Sequence, residues 1–116
     1  MKKILALLVI CLSCLSINAQ EKPNKNKKVE IGVSGVCEMC KKRIEKAAYS
    51  VKGVKSATWH SDHQDLHLII DEKKCKLIDV QKAIAKAGHD TQDIKATDAE
   101  YAKIHECCKY RTDETH

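Results

Sequence analysis

Cys37 and Cys40 stand with two residues between them in the run Ser34-Gly35-Val36-Cys37-Glu38-Met39-Cys40-Lys41-Lys42. Two thiols at that spacing have two chemical uses: as thiolates they bind a soft metal ion, and as a dithiol they exchange with disulfides. They lie where one periodicity gives way to another. Val29, Ile31 and Val33 alternate with Lys28, Glu30 and Gly32, the period of a half-buried strand, while Cys40, Ile44, Ala47, Ala48 and Val51 recur at helical steps of three and four. The thiols therefore straddle a strand-to-helix turn. Gly35 allows the backbone to turn tightly. The unpaired amides and positive dipole end of the new helix favour a thiolate, and Lys41, Lys42 and Arg43 lower the thiol pKa further. With Lys46 they also give this end a positive rim, suited to an acidic partner or simply to a solvated face. Met39 between the cysteines offers a thioether ligand or a cover for the loop rim.

Composition narrows the context. The 116 residues suffice for one small domain with tails. Residues 1–19 read as a signal peptide, with Lys2 and Lys3 before an apolar run from Ile4 to Leu15 and the small residue Ala19 at its end. An exported, periplasmic protein follows from that pattern, and lipid anchoring through Cys14 is the weaker variant. Losing Lys2 and Lys3 leaves 19 basic residues against 16 acidic, about +3. That mild charge, with one Trp, three Tyr and no Phe, argues against nucleic acid as a partner. Removing Cys11 and Cys14 leaves five cysteines, an odd number that cannot form a closed disulfide framework.

The elements that position the thiols follow in order. Residues 20–28 are polar, carry the only proline, Pro23, and read as a flexible basic linker. Residues 29–96 form the domain: strand one and helix one, a stop at Lys52-Gly53, an extended stretch from Val54 to His60, a polar turn at Ser61–Gln64, and a third strand through Leu66, Leu68 and Ile70. A second helix is written by Leu77, Val80, Ala83, Ile84 and Ala87 and stopped by Gly88. Thr91 to Lys95 then reads as a fourth strand. The order β-α-β-β-α-β predicts an α+β, ferredoxin-like sandwich, a four-stranded antiparallel sheet with two helices on one face. That topology gathers the loops Gly35–Cys40, Ser61–Gln64 and Gly88–Asp90 at one end and sends Cys75 to the other. His89 becomes a candidate auxiliary ligand or hydrogen-bond donor to the site, or a simple cap on the second helix. His60, His63 and His67 are expected on the surface, with Trp59 and Tyr49 in core or edge packing.

Residues 97–116 form a C-terminal extension. Thr97-Asp98-Ala99-Glu100 is a capping box, and Tyr101 with Ile104 gives the short helix an apolar stripe. His105-Glu106-Cys107-Cys108 follows, and reads as a second soft-metal or redox site. If the extension folds back to cover the open face of the sheet, Cys107 and Cys108 return to Cys37 and Cys40 and complete a four-thiolate site; otherwise they stay near Cys75.

Val29 to Ile94 resembles the heavy-metal-associated domain of copper chaperones, of metal-transporting ATPase amino-terminal modules and of the periplasmic mercury-binding protein. The resemblance rests on Val33-Ser34-Gly35 before the cysteines, on Lys52-Gly53-Val54-Lys55-Ser56-Ala57, and on Ile84-Ala85-Lys86-Ala87-Gly88. It implies that Cys37 and Cys40 bind the ion. The family's usual Gly-Met-Thr-Cys is here Gly35-Val36-Cys37, one residue shorter and without the methionine that packs beneath the loop, and its usual Tyr or Phe after the second helix is His89.

The expected function is binding, not catalysis. Two thiolates without enforced further ligands suit Cu(I), and Hg(II) as a second soft ion. A metallochaperone or scavenger would pass the ion by ligand exchange to a metal-transporting membrane protein or another metal-binding domain with an acidic docking face, acting as a monomer or a metal-bridged dimer. The alternatives are a thiol-disulfide redox protein and a zinc-binding module. A thioredoxin-like protein would carry a proline loop, which this domain lacks. Structural zinc takes four ligands, which this chain supplies only by recruiting His63, His89 or the extension.

Overall fold

The computed structural model describes residues 22–111. The expected signal peptide at 1–19, with Cys14, and the end of the extension at 112–116 lie outside the described residues. Strand β1 spans Lys27–Gly32, helix α1 Glu38–Tyr49, β2 Val54–His60, β3 Asp65–Ile70, α2 Leu77–Lys86 and α3 Asp98–Ala102, with a 3-10 turn at Glu106–Cys108. The strand order is β1-β3-β2, all antiparallel. No helix among the described residues is long and apolar enough to cross a membrane.

The alternation that marks the strands becomes rows across the sheet. Val29 pairs with Leu68 and Leu68 with Ala57, and Ile31 pairs with Leu66 and Leu66 with Trp59. Ile31, Ala57, Trp59, Leu66, Leu68 and Ile70 are buried under the helices, each large aliphatic contributing roughly 1.5–3 kcal/mol. Helix α1 turns Cys40, Ile44 and Ala48 inward at four-residue steps, and α2 presents Val80 and Ile84. Cys40 is thus the first rung of a core face as well as half of the dithiol.

The fourth strand is not formed. Thr91 makes one bridge to Val33, and the segment then curls on itself. The Thr91 backbone N–H donates to Ile94 O at 2.7 Å and its hydroxyl accepts from Ile94 N at 3.1 Å. Gln81 of α2 takes Asp93 N and the Thr91 hydroxyl on its carbonyl oxygen, both at 2.9 Å. The N–H groups of Thr91, Asp93 and Ile94 are thus taken within the segment or by Gln81, while Gln92 N donates to Gly32 O at 2.9 Å, so the contact with β1 stops at a single bridge. At the other end of the domain, β1 begins two residues ahead of Val29, and Asn24 just before it is pinned to Glu72 by hydrogen bonds of 2.9 and 3.1 Å.

The three loops do meet at one end. Val33 N donates to Gln64 O, Gly35 N to Gln64 Oε1 and Ser34 N to Asp90 O, each at 2.9 Å. Gly35 serves a purpose other than a tight turn. A Cβ there would lie 3.0 Å from the Trp59 ring and 3.1 Å from Cys40 Cβ, so glycine lets the loop rest on the indole. Trp59 Nε1 in turn donates to Val33 O at 3.0 Å.

Candidate metal centre

Cys37 is the N-cap of α1, with extended backbone at φ −139° and ψ 175°. Cys40 follows one turn into the helix, so both sulfurs face the same end. Their Sγ atoms are 3.4 Å apart. The extension returns to them: Cys108 Sγ lies 3.1 Å from Cys37 Sγ, and Cys107 Sγ is 3.7 Å from Cys37 Sγ and 3.9 Å from Cys108 Sγ. The sulfurs of Cys37, Cys40 and Cys108 all lie within 4.8 Å of one another. The cysteine pair is therefore no second site.

The route of return differs from the expected one. The extension does not cover the open face of the sheet, where Lys28, Glu30 and Thr58 remain exposed. It packs instead over the end of α2. Helix α3 starts with the expected capping box, Thr97 Oγ1 accepting from Glu100 N at 3.1 Å and Glu100 Oε1 from Thr97 N at 2.9 Å. Tyr101 and Ile104 are then buried against the domain. Tyr110 OH donates to Gly88 O at 2.7 Å and accepts from Asp90 N at 2.8 Å. Arg111 donates to Asp90 Oδ1 at 2.9 Å, Asp98 Oδ1 at 3.1 Å and Ala96 O at 2.7 Å, and its guanidinium lies 4.3 Å from the Tyr101 ring centroid. Asp90, Tyr110 and Arg111 thus clasp the strap that carries Cys108. Sequence reasoning missed this clasp, because an ion pair between loop and tail has no local pattern.

The site is also less open than a surface loop. Cys40 and Cys108 have no exposed surface, Cys37 is half-buried and Cys107 is exposed. Burial pushes the Cys37 thiol up, but hydrogen bonding with Cys108, the nearby Cys40 backbone N–H and the other thiols outweigh it, and its pKa falls to about 7. Burial, with the neighbouring Cys40 and Cys37, pushes Cys108 up to about 12. Cys107 is pushed up to about 11, chiefly by its hydrogen bond with Cys37. The metal-free cluster therefore holds one ready thiolate, Cys37, beside the protonated Cys107 and Cys108. Iodoacetamide at pH 7 is expected to label Cys37 before the more exposed Cys107; peptide mapping of briefly alkylated, reduced protein checks the order, and faster labelling of Cys107 would contradict it.

His89 lies outside the thiol group. It is fully buried, its Nδ1–H donates to Ser34 O at 2.8 Å, and Nε2 faces the Arg43 guanidinium at 3.5 Å. Its ring stacks on Tyr110 at 5.5 Å. Burial lowers its pKa, and Arg43 adds to that against the opposing Ser34 carbonyl and Asp90. A neutral imidazole with both nitrogens engaged positions the loop before Cys37. His89→Ala is expected to keep the sulfur ligands of any bound ion while costing about 2–3 kcal/mol of stability at pH 7.5, from a lost buried hydrogen bond and a cavity. Because the folded pKa is depressed, the stability tied to the neutral ring is present above the unfolded value of 6.5 and is lost as pH falls below it. Urea unfolding at pH 7.5 and 5.0 should show the deficit shrinking at the lower pH; an equal deficit at both would refute the neutral-ring assignment.

The remaining candidates are scattered. Met39 is exposed with its Sδ 3.6 Å from Cys107 Sγ, at the rim. Lys41 is spent on Glu45 at 2.7 Å and on Trp59 O at 2.9 Å, Arg43 turns inward, and Lys42 and Lys46 stay exposed. His63 is exposed beside Asp62. His67 lies on the open face between Glu30 at 3.3 Å and Asp65 at 3.2 Å. His105 is exposed, and Cys75 is buried at the far end near Asp71 O. Tyr49 is exposed at the edge, its hydroxyl accepting from Ala57 N at 3.1 Å.

The metal–sulfur bond sets what the cluster can hold. At about 2.3 Å, the zinc–thiolate length, sulfurs around one ion sit about 4.6 Å apart in linear geometry, about 4.0 Å in trigonal and about 3.8 Å in tetrahedral. The observed separations of 3.1, 3.4 and 3.7 Å need only to open by a few tenths of an ångström to about one ångström to accept an ion.

Residues 30–90 match the family model of the heavy-metal-associated domain. No curated protein matches the chain significantly. Among solved structures, the CopZ metallochaperone is similar at 26% identity over 56% of this chain and 98% of its own, with a TM-score of 0.54. Oxidized MerP from Ralstonia metallidurans CH34 is similar at 25% identity over 57% of this chain and 93% of its own, TM-score 0.54. The N-terminal domain of a potential copper-translocating P-type ATPase from Bacillus subtilis, solved in the Cu(I)-loaded state, is similar at 25% identity over 58% of this chain and 85% of its own, TM-score 0.55.

Proposed function

This chain belongs to the heavy-metal-associated domain family, and from that premise we propose that it is an exported binding protein that holds Cu(I), or Hg(II), on the thiolates of Cys37 and Cys40 and passes it on by ligand exchange. The observation that carries the reading is the convergence of these sulfurs at 3.4 Å on a helix N-terminus, one of them with its pKa lowered to about 7. Thiolates select soft ions. The similar CopZ metallochaperone, MerP and copper-translocating ATPase-domain structures support a carrier, with a metal-transporting membrane protein or a second such domain as the recipient. Exposed Lys42 and Lys46 support an acidic docking face on that partner, and the apolar run after Lys2 and Lys3 supports export.

Native mass spectrometry of the reduced protein offered Cu(I), Hg(II) and Zn(II) in turn tests this. One tightly held Cu(I) or Hg(II), in preference to Zn(II), is expected. Disulfide exchange is the second reading, favoured by the same low pKa of Cys37. The same spectra separate it, since an oxidised pair appears as the loss of two hydrogen masses with no metal retained.

A further inference from the structure

We propose that Cys108 is the third ligand of this centre, delivered by the C-terminal strap, so that the ion sits in a buried three-thiolate site instead of an open two-thiolate one. The inference deepens the proposed function and rests on it.

Distances favour it. Cys108 Sγ is nearer to Cys37 Sγ, at 3.1 Å, than Cys40 Sγ is, at 3.4 Å. A linear ion would require Cys37 and Cys40 to separate by more than an ångström, to about 4.6 Å, whereas a trigonal one needs about 4.0 Å. The smaller movement also keeps Cys40 in its rung on the buried face of α1. Burial agrees, because Cys40 and Cys108 are wholly enclosed with their sulfurs within 4.8 Å of each other, so an ion held by Cys37 and Cys40 has the Cys108 sulfur beside it. Charge agrees as well: Arg43 faces the Cys108 thiol and the α1 N-terminus faces Cys37, so the excess negative charge of three thiolates has two positive neighbours. Cys107, exposed and 3.7 Å from Cys37, stands outside as the sulfur that incoming or departing metal meets first.

The strap then governs release. With Tyr110 on Gly88 and Arg111 on Asp90, Cys108 is held in place by contacts that a docking partner must loosen. On transfer a thiol of the partner gives up its proton and bonds to the metal as the Cys108–metal bond breaks, and the released Cys108 thiolate takes up that proton. No oxidation state changes.

X-ray absorption and competition titration on the reduced full chain loaded with Cu(I) alone decide the matter. Wild type is expected to show three sulfur ligands and Cys108→Ala two, with affinity at least tenfold lower. The double variant Tyr110→Phe, Arg111→Ala keeps every thiol, so it remains informative if Cys108→Ala does not fold; its affinity is expected to fall toward that of Cys108→Ala. Two sulfurs in wild type, with affinity unchanged in both variants but lost in Cys37→Ser, would overturn the third ligand and leave the two-thiolate reading standing. Failure of wild type to bind Cu(I) at all would overturn both.

Discussion

Cys37→Ser is expected to abolish tight Cu(I) binding, lowering affinity by more than about 100-fold, the upper end of what loss of an outer-shell partner costs. Cys37 is the sulfur on which the others converge, 3.1 Å from Cys108, 3.4 Å from Cys40 and 3.7 Å from Cys107. It is also the thiol with the lowered pKa. A serine hydroxyl is a hard, protonated donor that a soft ion does not accept in exchange. The fold should survive, because Cys37 is only half-buried and the helix start is held by the Cys37 carbonyl, which accepts from Lys41 N at 3.1 Å. Cys40→Ser behaves differently: its sulfur is fully enclosed in the core, so a hydroxyl there is expected to cost about 1–3 kcal/mol in addition to the metal. Competition with a chromophoric Cu(I) chelator gives the affinities, and thermal unfolding of the metal-free variants separates the two cases. Wild-type affinity in Cys37→Ser would remove the metal from this loop.

Gly88→Ala is expected to destabilise the protein by about 2–5 kcal/mol, adding left-handed strain to overpacking. Gly88 has φ +106° and ends α2 in a Schellman turn, with Gly88 N donating to Ala85 O at 2.9 Å and His89 N to Ile84 O at 3.3 Å. A methyl group there would collide with Ile104 and lie 3.0 Å from Glu100 O. Those residues belong to the strap, and Gly88 O also accepts the Tyr110 hydroxyl. The substitution therefore strains the end of α2 and lifts the segment that carries Cys108. Urea unfolding measures the first effect. Accessibility of Cys108 to a thiol reagent in the folded protein measures the second and is expected to rise. A loss below 1 kcal/mol with Cys108 still protected would show that the strap does not bear on this glycine.

By itself the sequence determined what lies within a few residues of each signal. The switch from alternation in Val29–Val33 to helical spacing from Cys40 placed both thiols at a strand-to-helix junction, where β1 and α1 put them. Gly88 and the Thr97–Glu100 box marked a helix end and a helix start that the structure keeps. Such features are local, because backbone propensity and capping depend on neighbours along the chain. Tertiary structure decided the rest. Periodicity records which face of an element is buried, not what buries it, so it could not show that Gly35 is required by the Trp59 ring. Nor could it show that Gln81 takes the Asp93 backbone N–H and the Thr91 hydroxyl where a fourth strand was expected. His89 looked available at the right end of the molecule, yet Ser34, Arg43 and Tyr110 enclose it. Cys108 reaches Cys37 because Tyr110 and Arg111 find Gly88 and Asp90 across the fold. Contacts between residues so distant in sequence leave no mark in local spacing, since their energy exists only once the packed elements hold both partners in reach.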